Sequence, residues 1–359
     1  MRWTLTPILQ TLHGAVFRHG PGLEHVASRR WEIAPAEVRD APAAFSLPGQ
    51  FDRVTQLSPF SSTLAEERRL LQGQTSCRHG ATRALLFEDV LLADGVLYKS
   101  DARMHLHKRT RRVPPLQTVR EDRPSAIYCS SPGNQYFGNW LIDDCTTYPL
   151  AVEHGIPVAS NSIVPSPQML AYEGLLGMRP RRCDATWFNK LVVFQDVGQN
   201  RDKHRRFKRL GQRLLGDRKV TPHPGVFILR GQAGQRRVLK NELQIAERLK
   251  RTRGFRVVDP MTRSLAEIID ACAGAQAVVG IEGSQLVHGL VLLPSGGSLL
   301  TLQPPNRYCS LFKNLTDRDA QKFGIVVGRA IGEDFEIAID EVERTLDLME
   351  RPQASTVER

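Results

Sequence analysis

AVVGIEGSQLVHGLVLLPSGGSLLTL, residues Ala277 to Leu302, decides how the rest of the chain is read. It reads as strand, glycine-bearing loop, short helix, turn and strand. The β-branched pair Val278 and Val279 ends at Gly280, and Ser284 is placed to cap a helix whose Leu286, Leu290 and Leu293 recur at helical spacing. The N–H groups of Ser284, Gln285 and Leu286 would then face the space beyond the strand end, where helix geometry and dipole favour an anion. The same pattern also suits an ordinary βαβ crossover, and a single glycine loop does not separate the two readings.

The neighbouring segments extend the pattern. VFILR reads as a strand; Asn241 caps a helix through Arg253 with Leu243, Ala246 and Leu249 inward and Gly254 as its stop; FRVVD is the next strand. Ser264 and Glu267 form a capping box ahead of Leu265, Ile268, Ile269 and Cys272 at i, i+3, i+4, i+7. With AVVG and SLLTL this makes four strands and three crossovers. Right-handed crossovers bring the loops after the strands to one edge, where open α/β sheets bind ligands. Arg230, with Arg236 and Arg237 from the loop GQAGQRR, would meet Gly283, Ser284 and Gln285 there. Guanidiniums opposite backbone N–H groups suit a diphosphate. Glu282 competes for the same place, since a carboxylate at a helix N-terminus gains about 0.3–1 kcal/mol from the dipole; it can instead turn to accept hydrogen bonds from ribose hydroxyls.

Upstream, SAIYC, NWLIDDCTTYPLAVEHG, IPVAS, PQMLAYEGLL and LVVF alternate strand and helix, with Leu141, Cys145, Tyr148 and Val152 at helical spacing. This implies a second parallel sheet covered by helices. Residues 1–120 are more β-rich. Asp94-Gly95 between two apolar runs is a hairpin signal, and His105 and His107 share one face of a solvated edge strand, with no third metal ligand placed near them. The first twenty residues carry Ile8, Leu9, Leu12 and Val16 at helical spacing, but polar residues interrupt any signal-peptide core, so they read as fold or as a surface anchor.

The domains expected are 1–200 (β-rich 1–120, Rossmann-like 121–200), a basic helix and linker 201–224, a Rossmann-like domain 225–333, and a C-terminal helix and tail 334–359. The basic stretch carries eight arginines and lysines between Lys203 and Lys219 around the apolar stripe Phe207, Leu210, Leu214 and Leu215. A surface helix with a solvated basic face accounts for it, as does a helix resting on anionic lipid or contacting an anionic substrate.

A net charge of +11 with 24% charged residues implies an anionic partner. No zinc-ligand spacing, RNA-binding aromatic motif or helix-turn-helix supports nucleic acid. Six scattered cysteines without C-x-x-C read as reduced, buried small hydrophobes in a cytoplasmic protein. No apolar run is long enough to span a bilayer.

In order, F-I-L-R, K-N-E, G-F-x-V-V-D-P, S-L-A-E, A-G-A-x-x-V-V-G, E-G-S-x-L-x-H and P-S-G-G-S-L-L-T-L-Q-P resemble the carboxyl half of glycosyltransferase family 61, and Y-F-G-N-W-L-I-D-D (Tyr136 to Asp144) is similar to the family's Y-G-H-W-L-x-D segment. The similarity covers roughly Pro132 to Pro305; E-D-V-L-L-A-D-G-V-L-Y adds only an echo. The resemblance implies an α/β, GT-B-like arrangement of two Rossmann-like domains facing each other across a cleft. It also implies a hexosyl- or pentosyltransferase that inverts the anomeric centre without a metal or other cofactor. The donor would be a nucleotide-diphosphate sugar, with uridine diphosphate the first candidate. The acceptor would be a glycan or lipid-linked glycan in envelope or capsular polysaccharide synthesis, with the enzyme cytoplasmic or peripheral on the inner face of the plasma membrane.

On this resemblance Arg230, Arg236, Arg237, Glu282, Gly283, Ser284, Gln285 and His288 form the donor side, and Tyr136, Asn139 and Trp140 the acceptor side. Two departures stand out: Glu282-Gly283-Ser284-Gln285-Leu286 replaces the common H-G-A-G-L, and Gly138-Asn139-Trp140 replaces G-H-W. Asn139 cannot take a proton, so the nearest carboxylates, Asp143 and Asp144, become candidates for the base, Asp143 lying one helical turn along. Asp143 equally suits a role in orienting the loop or capping, and His288 either neutralises the diphosphate or packs in the core. The departures also leave open a catalytically silent nucleotide- or glycan-binding member.

Overall fold

The computed structural model describes residues 2–4, 6–7, 22–111, 117–231 and 235–351. The helix expected within the first twenty residues, part of the loop after Arg230 and the end of the tail lie outside them. The chain forms two compact α/β units, Met1–Glu37 with His79–Arg213, and Val38–Arg78 with Leu214–Arg359. Residues 38–78 therefore belong with the carboxyl-terminal half, whereas the sequence reading assigned all of 1–200 to the first domain. The reason is backbone pairing: Phe45 N–H donates to Phe323 (2.8 Å), and Ile325 N–H donates back to Phe45 (3.0 Å).

The first unit is built on one mixed sheet. Seven of its ten strands among the described residues lie on one path, β1 (Thr82–Ala93), β2 (Val96–Lys99), β3 (Ala102–His105), β4 (Ser125–Ile127), β5 (Ile156–Ser160), β6 (Arg181–Cys183) and β7 (Thr186–Gln195), in the order β6-β5-β4-β7-β1-β2-β3. The β6-β5-β4-β7 half is parallel and the β7-β1-β2-β3 half antiparallel. The expected β-rich cap and Rossmann-like part are thus two halves of one sheet, joined because the long β1 and β7 pair from Arg83 to Leu92. Asp94 and Gly95 (φ 46° and 71°) make the tight turn between β1 and β2, the backbone twist that two-residue hairpins need. His107 lies beyond β3, buried, and bonds Ser160 Oγ (3.1 Å) and the Lys108 carbonyl (2.7 Å), so it is not on a solvated edge with His105.

Helix α1 (Cys145–His154) follows a π-helical turn, Trp140–Asp144. The Thr146 hydroxyl lies within donating reach of the Ile142 (3.1 Å) and Asp143 (2.7 Å) carbonyls, acceptors that the wider turn misaligns. The extra residue in the turn rotates the helix after it. Val152, inward on a straight 3.6-residue repeat, is 54% exposed, and Leu150 and Ala151 are buried in its stead. Two more helices of this unit are α2 (Pro167–Leu175) and α3 (Arg201–Leu215).

The second unit carries a five-stranded parallel sheet of β8 (Val226–Ile228), β9 (Arg256–Val258), β10 (Ala277–Ile281), β11 (Ser298–Gln303) and β12 (Lys322–Val327), ordered β9-β8-β10-β11-β12. The fifth strand was not read from the sequence. Helices α4 (Glu242–Arg253) and α6 (Ile339–Glu350) bury one face of this sheet: Ile245, Leu249, Val342, Leu346 and Met349 pack with Phe227, Val279, Leu300 and Val326. Fully burying each such side chain is worth about 1.5–3 kcal/mol. Leu243, expected inward, is 65% exposed; six residues before Leu249 is roughly 120° away round the helix, and Ile245 takes the inward place. Asn241 does not cap α4 with its side chain but clasps the Ile337 backbone.

Helix α5 (Leu265–Cys272) begins with the anticipated Ser264–Glu267 capping box. On that side Gly289 touches Val278 and Ile228 so closely that a Cβ would overlap Val278. The last helix starts at Ile339, not Asp334, because Asp334–Glu336 pairs as a strand with Arg329–Ile331. Its apolar face packs on its own sheet. All six cysteines are free; five are buried and Cys77 is half-buried. Among the described residues no helix is long and apolar enough to cross a membrane.

Candidate functional site

The strand order of the second sheet reverses between β8 and β10, and a crevice opens at the carboxyl ends of strands where such a switch occurs. Arg230 follows β8 and Glu282 follows β10. Glu242, at the start of α4, accepts from the N–H groups of Arg230 (2.7 Å) and Gly231 (3.1 Å), fixing the turn. The Arg230 guanidinium then donates to Gln285 Oε1 (3.0 Å) and the Gln235 carbonyl (2.8 Å), while its buried Nε has no hydrogen-bond partner among the described residues. Gln285 is held in turn by its own bond to the Ile281 carbonyl (2.5 Å). A Cβ at Gly283 would overlap Arg230 Nη1, so glycine is what lets the guanidinium lie across the strand end.

Glu282 is buried and paired with Arg237 (2.5 Å) and Arg307 (3.4 Å). Two guanidiniums therefore pair with this carboxylate, and Arg230 lies close enough to feel the charges of all three groups. Burial, followed by repulsion from Arg237, lowers the Arg230 pKa to about 10, with Glu282 opposing and Arg307 adding to the repulsion. An anion that accepted from these groups would relieve both the desolvation and the like-charge repulsion.

The remaining donor-side residues are placed differently from the sequence expectation. Gly283, not Ser284, takes the N-cap position; Ser284 begins a single 3₁₀ turn that runs into Val287–Leu290, and no side chain caps it. The Leu286 N–H donates to the Gly283 carbonyl (3.1 Å), so it is not directed at a ligand. With so short a helix, the guanidiniums rather than a macrodipole supply the positive charge. Arg236 pairs with Asp334 (2.8 Å) and Glu333 (3.7 Å), away from Arg230, its side chain 61% exposed. His288 is buried, and burial lowers its pKa to about 3; as a neutral imidazole it adds no charge to the cluster. Glu282 meets arginines, so a ribose contact would have to compete with two ion pairs.

On the first unit, Asp143 sits in the π-helical turn with both oxygens engaged: Lys203 Nζ donates to Oδ1 (2.6 Å) and Asn139 Nδ2 to Oδ2 (3.1 Å). Lys203 is buried and also donates to the Asp196 carbonyl (2.6 Å). Asp196 in turn takes two bonds from Arg206 (2.8 Å each), and Arg206 reaches Asp202 (2.9 Å). Part of the basic helix is thus turned inward and neutralised. Asp144 is buried and accepts from Ser130 N–H (3.1 Å) and Oγ (2.7 Å). Burial pushes its pKa well above the usual carboxylate range. Its place against Gly133, where a Cβ would overlap it, makes it an anchor for the Ser130–Asn134 loop. Trp140 is buried against Phe137 (5.9 Å) and Tyr172 (6.2 Å) and offers no open ring face. Tyr136, half-buried, is the N-cap residue of the short helical segment Phe137–Asn139 that leads into the π-helical turn.

The structure therefore brings together Arg230, Arg237, Glu282, Gly283 and Gln285, and separately Asn139 with Asp143. Sequence reasoning missed Arg307 and Lys203. Arg307 lies only two residues past Pro305, where the recognisable pattern stopped, and Lys203 was hidden among seven other cations.

The sequence profile described as Glycosyltransferase 61 matches residues 102–299, more than half of the chain, from β3 into the start of β11. No curated protein matches the chain. The matched span contains both Asp143 and the Arg230–Glu282 cluster, with Arg307 beyond it. The chain belongs to glycosyltransferase family 61 and is a glycosyltransferase.

Proposed function

We propose that this enzyme transfers a sugar, with inversion and without a metal, from a nucleotide-diphosphate sugar to a glycan or lipid-linked glycan acceptor, in cytoplasmic assembly of an envelope or capsular polysaccharide. The observation that carries the reading is the cluster at the switch point of the second sheet, where Arg237 and Arg307 pair with Glu282 and the buried Arg230 lies beside them. Arg230, Arg237 and Arg307 bind the diphosphate, and they stabilise the charge that builds on it as the bond between the anomeric carbon and the diphosphate oxygen breaks. The acceptor hydroxyl attacks that carbon from the opposite face, and Asp143 receives its proton once Lys203 or Asn139 releases an oxygen. The division of labour is that of GT-B enzymes, with the donor on the second unit and the acceptor on the first.

Uridine diphosphate titrated by calorimetry should bind Arg230→Ala and Arg307→Ala roughly 10- to 150-fold more weakly, the worth of one charge-assisted hydrogen bond. Undiminished affinity in both variants would remove the basis of the assignment. The engagement of both Asp143 oxygens favours a second reading, a silent member that binds the nucleotide without turnover. Slow donor hydrolysis that disappears in Asp143→Asn would exclude it.

A further inference from the structure

The donor reading leaves one built feature of the first unit without a role. A cavity of about 220 Å³ lies between α1, the segment after α2, and α3. Its walls are apolar: Cys145 and Pro149 from α1, Leu176 and Met178 after α2, and Leu210 from α3. Arg209 and Arg213, on the same stripe of α3 as Leu210, also line it, and both are exposed. Arg206, one turn earlier, is consumed by Asp196 and Asp202. Arg213 gives one Nη to the Leu176 carbonyl, and Arg209 has no hydrogen bond or ion pair among the described residues.

An apolar hollow beneath two guanidiniums that no carboxylate offsets is complementary to a molecule with an apolar chain and an anionic head. The volume decides how much of that molecule enters. It is below the roughly 300–1,000 Å³ of sites that engulf a whole drug-sized ligand, so a segment of chain fits and the rest stays outside. Arginine, with its planar fork, matches a phosphate better than lysine does. In addition, α2 ends next to the cavity wall with Leu175 42% exposed, so an apolar side chain already stands in the open beside the entrance segment.

We propose that this cavity seats part of one acyl chain of an anionic phospholipid, with Arg209 and Arg213 on its phosphate, and so holds the first unit on an anionic bilayer. The proposal is independent of the donor assignment, because it uses none of the residues assigned to the donor.

The test is co-sedimentation of the full chain with vesicles of phosphatidylcholine alone or mixed with phosphatidylglycerol. The wild type should sediment with the mixed vesicles only. Arg209→Gln with Arg213→Gln should weaken binding about 30-fold, roughly fivefold for each basic residue lost at an anionic surface. Met178→Trp, which fills the cavity and leaves every charge in place, should also weaken it. If Met178→Trp melts early, Cys145→Met serves as the milder filler. Equal binding to neutral vesicles, absence of binding to either, or unchanged binding by a folded cavity-filling variant would each overturn the proposal. The last outcome would leave a charge-only contact, and nucleotide affinity would be unaffected in every arm.

Discussion

Asp196→Asn removes a charge from the middle of the buried network on the first unit while keeping the shape of the side chain. Asp196 and Arg206 are each only 5% exposed, and the carboxylate accepts from both Arg206 Nη groups and from the hydroxyls of Thr82 (2.7 Å) and Thr147 (2.9 Å). Breaking one side of a buried pair leaves the other charge uncompensated, at a cost of about 3–5 kcal/mol. Arg206 retains Asp202 and Lys203 retains Asp143, so the lower end, about 3 kcal/mol, is expected. The four tryptophans, Trp3, Trp31, Trp140 and Trp187, all fall in the first unit, so their fluorescence during urea unfolding reports that unit alone. The midpoint should fall by roughly 1–3 M.

The acid limb supplies an internal check on the same variant. Burial by itself raises the Asp196 carboxyl, but hydrogen bonding from Arg206 and the charges of Lys203 and Arg206 bring it below its ordinary value. A folded-state pKa depressed below about 3.9 contributes stability above that pH and loses it as the pH falls towards the folded value. The asparagine variant should therefore show a shallower loss of stability below about pH 4. A cost under about 1 kcal/mol, the range of exposed ion pairs, with an unchanged acid limb, would refute the reasoning.

Two further outcomes concern the second unit. Gly283→Ala drives a methyl group into Arg230 Nη1 at a backbone φ of 156° that only glycine adopts without strain, and should weaken uridine diphosphate binding by about tenfold or more while the backbone strain, about 1–3 kcal/mol, lowers the melting temperature. His288, held neutral by burial with a pKa near 3, refuses a proton that the unfolded chain accepts below about pH 6.5; each pH unit below that costs up to roughly 1.4 kcal/mol. His288→Gln should flatten the stability of the second unit between these two values, measured by circular dichroism because tryptophan is silent there.

The second sheet was legible because each of its early strands is an apolar run closed by a cap or a glycine: Ser264 with Glu267, Gly254 in the left-handed conformation at the end of α4, and Gly280 at the close approach to Ile228. Its last strand, KFGIVV, was overlooked because no helix with clear apolar spacing announces it. The first unit was harder to read. A π-helical turn carries no compositional mark, and it shifted the faces of everything from Cys145 onwards. Of the arginine cluster, Arg230 and Gly283 follow from strand-end position alone. Whether a neighbouring guanidinium turns inward, as Arg237 does, or outward, as Arg236 does, is set by carboxylates 45 and 98 residues away along the chain, Glu282 and Asp334. Charge partners at such separations have no local signature.

The second unit is assembled from two stretches of chain with the first unit's sheet strands encoded between them. Besides the Phe45 pairing, Thr55 N–H donates to Pro305 (2.8 Å), Ser58 and Gln56 exchange backbone bonds with Tyr308 (2.8 and 3.0 Å), and Arg53 grips Glu341 (2.6 Å). During synthesis, then, residues 38–78 leave the ribosome long before their partners exist. At about 5–20 residues per second the wait is on the order of ten to fifty seconds. Through that interval a segment that will form part of the second unit must stay unpaired, while the strands of the other unit are already complete. The order of maturation is consequently fixed by the gene: the half that carries Asp143 can close first, and the half that carries Arg230 is completed only when the chain returns to its own beginning.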